Sequence, residues 1–314
     1  MVQVDLITGF LGAGKTTFLR RYVRYLVAQG HNVCILENDF GAVNVDAMLV
    51  QDLLGPNCDL ETISGGCDCD THQRRMRTKL IAMAMRGFDR VVVEPSGIFD
   101  VDEFFDVLRD DPLDRWYHIG NVIAIVDAML PETLSPQAEY VLASETANAG
   151  RVLVSRTQLA GQQQTAAAVA HLTRALEGCK CSRRFASEEI ITKDWARLTN
   201  ADLAAIAACG CRQASCEKLH FDEHESFSSL CFLEQHLTLQ QLQAAADHLF
   251  ADAACGHVLR VKGFAPDPQG TTGWLELNAT AAGRTLEPIP QGQDVLIVIG
   301  EGLDKAAIEA RLKA

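Results

Sequence analysis

Positive charge is scarce in this sequence: 28 Lys and Arg stand against 41 Asp and Glu, a formal net charge of -13 over 314 residues. Phosphate backbones reward clustered Lys and Arg, so this balance argues against a nucleic-acid partner and favours soluble partners or metal cations. Also missing is any apolar run of membrane-spanning length, which argues against a membrane partner. The opening "MVQVDLITGF" has no basic segment leading into an apolar stretch and a small-residue cleavage site. A cytoplasmic protein is expected. In that reducing compartment the 11 cysteines are not expected to form a disulfide framework, and closely spaced pairs read as metal-binding or redox-active. What is present is ordinary globular composition, 48% hydrophobic and 22% charged, with enough length for two cores.

The first forty residues carry the sharpest signal. "VQVDLI" reads as a strand, "TGFLGAGKTT" as a loop, and "FLRRYVRYLVAQG" as a helix ending at Gly30. Within the loop, Gly9, Gly14, Lys15 and Thr16 match G-x-x-x-x-G-K-[ST]. Glycines let such a backbone curl, so that the N–H groups of Gly12, Ala13 and Gly14 converge on phosphate oxygens at a helix N-terminus. Lys15 would neutralise the β- and γ-phosphates, Thr16 would give its hydroxyl to Mg²⁺, and Thr17 would reach the α-phosphate. "HNVCILEND" and "RVVVEPSG" read as further strands, the second a buried apolar run suited to a parallel sheet covered on both faces. It ends in Glu94, whose carboxylate would hold Mg²⁺ through its water shell, orient the attacking water, or cap the helix expected near Asp100. The Gly97 N–H would meet the γ-phosphate. Slow Mg²⁺-dependent hydrolysis follows, because no arginine finger is evident.

"SGGCDCD", residues 64–70, sets Cys67 and Cys69 behind two glycines. They are too close for an unstrained disulfide, which leaves a metal site or two buried thiols in a turn.

"GFLGAGKTT", "ENDFGAVNVD", "SGGCDCD" and "VVVEPSG", with "HVLRVKGF" further on, occur in the order found in CobW-like P-loop GTPases, which the chain resembles over nearly its whole length. These are relatives of the nickel and cobalamin accessory GTPases. The resemblance implies an α/β fold: a P-loop nucleoside triphosphatase domain with a mostly parallel sheet, then a smaller C-terminal α+β domain of the CobW C-terminal kind. The expected boundaries are 1–210, a linker over 211–226, and 227–314. It also implies a metallochaperone, or an accessory protein gating a metalloenzyme, that couples nucleotide state to a transition metal. A client metalloprotein or metal-cofactor enzyme and a nucleotide-dependent homodimer come with it. A degenerate scaffold that senses nucleotide without hydrolysis stays open.

Where the family carries Cys-x-Cys-Cys, this chain has Cys67, Asp68, Cys69 and Asp70, and Asp39 stands where the family has Glu. In a loop or short extended segment Cys67 and Cys69 would point to one side and share an ion, with Asp39, Asp70 or a distant His completing a mixed S/O/N tetrahedron for Zn²⁺ or Co²⁺. Where such GTPases have Asn-Lys-x-Asp, this chain has Ser155, Arg156, Thr157 and Gln158. A Gln amide offers guanine one acceptor and a misplaced donor, so GTP, ATP or both are expected as substrate, with Arg156 stacking on the base.

Signals thin out beyond Gly161. Cys179, Cys181, Cys209, Cys211 and Cys216 are candidates for a second soft-metal site, and His220, His224 and His236 read as surface residues. "TLQQLQAAADHLF" reads as a helix burying Leu239, Leu242, Ala246 and Leu249 against antiparallel strands of the split β-α-β kind. Arg260 and Lys262 read as a client-docking or nucleotide-sensing pair, or as a solvated basic turn.

Overall fold

The computed structural model describes residues 1–39, 49–64, 69–97, 101–214, 216–217, 227–270, 273–281, 283–289 and 292–312. The chain forms two compact units. The first carries seven strands: β1 (Val2–Thr8), β2 (Val33–Asp39), β3 (Cys58–Ser64), β4 (Arg90–Pro95), β5 (Tyr117–Asp127), β6 (Arg151–Ser155) and β7 (Ile190–Ile191). They lie in the order β3-β2-β4-β1-β5-β6-β7, every pair parallel. Between them run α1 (Lys15–Ala28), α2 (Cys69–Ala84), α3 (Val101–Arg109), α4 (Leu113–Trp116), α5 (Pro136–Ala147), α6 (Thr157–Gly178) and α7 (Asn200–Ile206).

The apolar runs of the central strands serve two cores at once. Successive side chains alternate faces, so Ile7, Val92, Ile123 and Ile125 pack with Phe18, Leu19, Tyr22 and Leu26 of α1, whereas Leu6, Val91, Val93 and Val126 pack with residues of α2, α3 and α5. Asp5 interrupts this pattern, fully buried in β1. Five donor groups meet it: the Tyr22 hydroxyl at 2.8 Å, Arg90 Nη1 at 2.7 Å, and Gln3 Nε2, Asn121 N and Asn121 Nδ2 at 2.9 Å each. Asn121 in turn receives the Gly210 N–H and donates to the Ala207 carbonyl, tying the chain after α7 back to the sheet.

The second unit holds β8 (Phe227–Leu233), α8 (Leu239–Ala251), β9 (His257–Pro266), β10 (Trp274–Thr280), β11 (Gly283–Ile289), β12 (Val295–Glu301) and α9 (Lys305–Leu312). The strand order is β11-β10-β9-β12-β8, with every pair antiparallel. β8 and β9 both run antiparallel to the β12 between them, so β8-α8-β9 is the expected split unit. Thr238 and Gln241 cap α8 reciprocally, and Leu242, Ala246 and Leu249 are buried with Leu239 packed beside them.

Four expectations need correction. "HVLRVKGF" is strand β9 and no basic turn: Lys262 is buried, pairing with Glu276 at 3.0 Å, and Arg260 Nε donates to Asn278. Cys69 does not lie in an extended segment, because the chain enters α2 there. Cys181 and Cys216 are joined as a disulfide, their segments held together by the Glu217 N–H donating to the Cys179 carbonyl. Cys211 and Arg212, read as linker, make contacts within the first unit: Cys211 bridges Ala149, and the Arg212 N–H donates to the Asn148 carbonyl.

Candidate functional site

β1, β4, β5 and β6 all end at one edge of the sheet, where open α/β folds place their ligands. The turn from β1 into α1 begins at Gly9 and ends at Gly14, with φ of 138° and 102°. Gly9 has no alternative, since a Cβ there would lie 2.2 Å from the Ile125 carbonyl oxygen. The buried Lys15 turns back into the loop, its Nζ donating to the Gly9 carbonyl at 2.8 Å. Thr16 Oγ1 donates to Glu94 Oε1 at 2.8 Å, bringing together two of the predicted Mg²⁺-site residues, from α1 and β4. Gly97 lies against the loop so closely that a Cβ would come within 2.6 Å of the Leu11 nitrogen. Thr17 is exposed at the same helix end.

Residues 155–158, expected from the sequence to meet the base, approach the same turn from the other side. Arg156 has a left-handed backbone, φ 54°, and precedes α6. Its guanidinium pairs with the Asp127 carboxylate at the end of β5 and donates to the Gly12 carbonyl at 2.8 Å. Burial raises the Asp127 pKa, an effect that the Arg156 charge and the Met129 N–H oppose. Gln158 is exposed in the first turn of α6 and Ser155 is buried at the end of β6. Trp195, beyond β7, reaches to 3.6 Å from a Cβ placed on Gly14 and stands edge-on to Phe18. Nothing in the sequence singled out Trp195.

The neighbouring edge of the sheet carries the metal candidates. β2 and β3 run in register, so Asp39 stands opposite Ser64, the last strand residue before the Cys67 segment. Two residues back, Glu37 stands opposite Glu94 on β4. Glu37 and Asn38 are both buried, and the Asn38 amide has no hydrogen-bond partner among the described residues. Neither was singled out from the sequence, because only strand register brings them to Glu94. Cys67 lies outside the described residues, as do the side chains of Asp39, Cys69 and Asp70. Among the described residues no group of three metal-ligating side chains is assembled. The expected second site is not gathered there: Cys181 and Cys216 are bonded, Cys179 is buried, and the Cys209 and Cys211 thiols donate to carbonyls of Val122 and Arg212. No helix among the described residues is long and apolar enough to cross a membrane.

Several known proteins are similar to this chain. The zinc chaperone YjiA of Escherichia coli is 31% identical over 173 residues, 52% of either chain. The zinc-regulated GTPase metalloprotein activator 1 of Schizosaccharomyces pombe is 26% identical over 164 residues, 50% of this chain and 39% of its own. The chain thus spans about half the length, or less, of these curated relatives. A crystal structure of Zn(II)-bound YjiA GTPase from E. coli aligns over 99% of this chain and 98% of its own, at 22% identity and a TM-score of 0.38. Residues 3–182 match the CobW/HypB/UreG nucleotide-binding domain, and the chain belongs to that family.

Proposed function

We propose that this protein is a slow P-loop nucleoside triphosphatase that couples its nucleotide state to a transition-metal cargo held by Cys67 and Cys69 and delivered to a client metalloprotein. The observation that carries this reading is the register of β2 with its two neighbours: Asp39 faces Ser64 at the approach to the cysteines, while Glu37 faces Glu94 of the Mg²⁺ site. Zinc is the leading cargo, since relatives are named zinc chaperones. Two thiolates with carboxylate oxygen suit Zn²⁺ and accept Co²⁺ as its spectroscopic substitute.

The phosphate loop would take the triphosphate on the N–H groups of Gly12 to Thr16, with Lys15 turning from Gly9 to the phosphates. Thr16 and Glu94, already in contact, fit a Mg²⁺ site, directly or through water. Mg²⁺, when bound, neutralises charge on the β- and γ-oxygens. Gly97, pressed against Leu11, would present its N–H to the γ-phosphate. In sequence the cysteines lie between 39–46 and 94–97, the two segments that the γ-phosphate and Mg²⁺ would engage, so nucleotide binding would be felt at the metal ligands. Any gain in metal affinity on nucleotide binding must be matched by an equal gain in nucleotide affinity on metal binding. Dimerisation on the nucleotide and residence in the cytoplasm belong to the same proposal.

The test is an anaerobic Co²⁺ titration with and without a non-hydrolysable triphosphate. Thiolate charge-transfer absorption should appear at lower Co²⁺ when nucleotide is bound, and Cys67→Ser with Cys69→Ser should remove the band while leaving Mg²⁺-nucleotide binding intact. Equal metal affinity in both states, or an unchanged band in the double variant, refutes the coupling.

A further inference from the structure

Glu145 lies on α5, a helix that opens with Ser135 accepting the Ala138 N–H and with Pro136 in its first turn. The residue is 1% exposed. A carboxylate that deep is costly unless hydrogen-bonded, and its partner is the phosphate loop: Glu145 Oε2 accepts the Gly9 N–H at 2.5 Å. The main chain of the same residue holds the preceding position, because Thr8 Oγ1 donates to the Glu145 carbonyl at 2.6 Å. Glu145 therefore grips both the last residue of β1 and the first residue of the loop, across 136 positions of sequence.

Gly9 is held from two directions, its N–H by Glu145 and its carbonyl by Lys15. The two holds differ in what nucleotide binding does to them. Lys15 is the group that would turn to the phosphates, so its bond to Gly9 would be given up when the site fills. Glu145 has no such duty. Its bond would persist and keep Gly9 at a positive φ that glycine alone adopts readily.

We infer that Glu145 is a positioning residue for the triphosphate: a buried acceptor on α5 that holds the start of the phosphate loop in its binding geometry while Lys15 is engaged elsewhere. It touches no substrate atom in this role, and what it supplies is an acceptor oxygen rather than a charge. The inference rests on reading Gly9 to Thr16 as the phosphate site.

The test compares wild type, Glu145→Gln and Glu145→Met by calorimetric titration with Mg²⁺-GTP and Mg²⁺-ATP, alongside thermal melts without ligand. Gln keeps an acceptor oxygen at the same reach, and Met fills the volume without one. Met should weaken binding of the better triphosphate at least tenfold, in line with an orphaned buried N–H. Gln should stay within about threefold of wild type on the same reasoning. A purely structural role would lower the melting temperature of the Met variant and leave the affinity of its folded fraction unchanged, which would overturn the inference. Gln failing as badly as Met would overturn it too, since an acceptor alone would then be insufficient. If the Met protein does not fold, Thr8→Val carries the test: losing the bond to the Glu145 carbonyl should weaken binding several-fold, and an unchanged affinity would overturn the proposal. Wild type binding neither triphosphate would instead defeat the phosphate-site reading itself.

Discussion

Arg156 Nη2 donates to the carbonyl oxygen of Gly12 at 2.8 Å, so the residue that precedes α6 is bonded to the turn between β1 and α1. The same guanidinium pairs with Asp127. Its polar edge is thereby committed to protein, which would leave its planar face to stack on a purine. Arg156→Ala should therefore weaken GTP and ATP binding together, without changing their ratio. Competition titrations of the two nucleotides would show this, and a selective loss of one would contradict it.

Base preference should instead lie with Gln158. Gln158→Asp is expected to raise the GTP-to-ATP affinity ratio about tenfold to a hundredfold, since a carboxylate accepts from both guanine N–H groups and each missing bond costs about 1–3 kcal/mol. Wild type already preferring GTP a thousandfold would count against this.

Turnover should depend on Lys15. Phosphate release from Mg²⁺-GTP or Mg²⁺-ATP should be slow in wild type and absent in Lys15→Ala. Identical rates in the two proteins would assign the turnover to a contaminant and leave a nucleotide-sensing scaffold.

The features most legible in the sequence are those whose chemistry is local. Gly9 through Thr16 announce the phosphate loop because the curl, the lysine and the following helix are adjacent in the chain. β5 went unread although it is an eleven-residue strand at the centre of the fold. Its first half, "YHIGN", breaks the apolar pattern because Asn121 serves the Asp5 network, and Gly120 has no room for a Cβ against Gln3 and Asp5. β11 was missed because it is an edge strand, exposed except at Ile289 and carrying Pro288, so it shows no buried face. The Cys181–Cys216 bridge spans 35 positions, and spacing alone cannot reveal such a pairing. Glu37 was passed over for Asp39 because only strand register sets it opposite Glu94.

The Asp5 network predicts a large stability effect far from the ligand edge. Asp5→Ala would remove the acceptor of Arg90, Tyr22, Gln3 and Asn121 at once. Breaking a buried charge pair costs about 3–5 kcal/mol. Urea denaturation should show a loss of at least that size, and a change within 1 kcal/mol on the same scale would mean that the network relaxes freely.

Alkaline pH should destabilise the fold through buried thiols. Burial pushes Cys34 and Cys209 up to about 12 and Cys58 to about 11, from an ordinary value of 9.0. The native state therefore holds protons that the unfolded chain releases above pH 9, so this stabilisation is complete below that point and is lost as pH rises toward 12. Melting temperature should fall across that window and less steeply in Cys34→Ala. Thiolates react and thiols do not, so iodoacetamide at pH 8 should spare all three cysteines until the protein unfolds.

The strand order of the first unit also fixes when the protein can begin to work during its own synthesis. β1 carries the phosphate loop at its end, yet its partners are β4 and β5, with Gln3 beside Arg90 and Val2 beside Tyr117. A ribosome has thus made the entire G-x-x-x-x-G-K-T stretch long before either flanking strand exists to hold it, and non-local pairing of this kind forms late. The loop is written before its braces and becomes competent only after them. A nascent chain stopped before Arg90 should retain no nucleotide, and one extended through Asp127 would have, for the first time, both strands that brace the site.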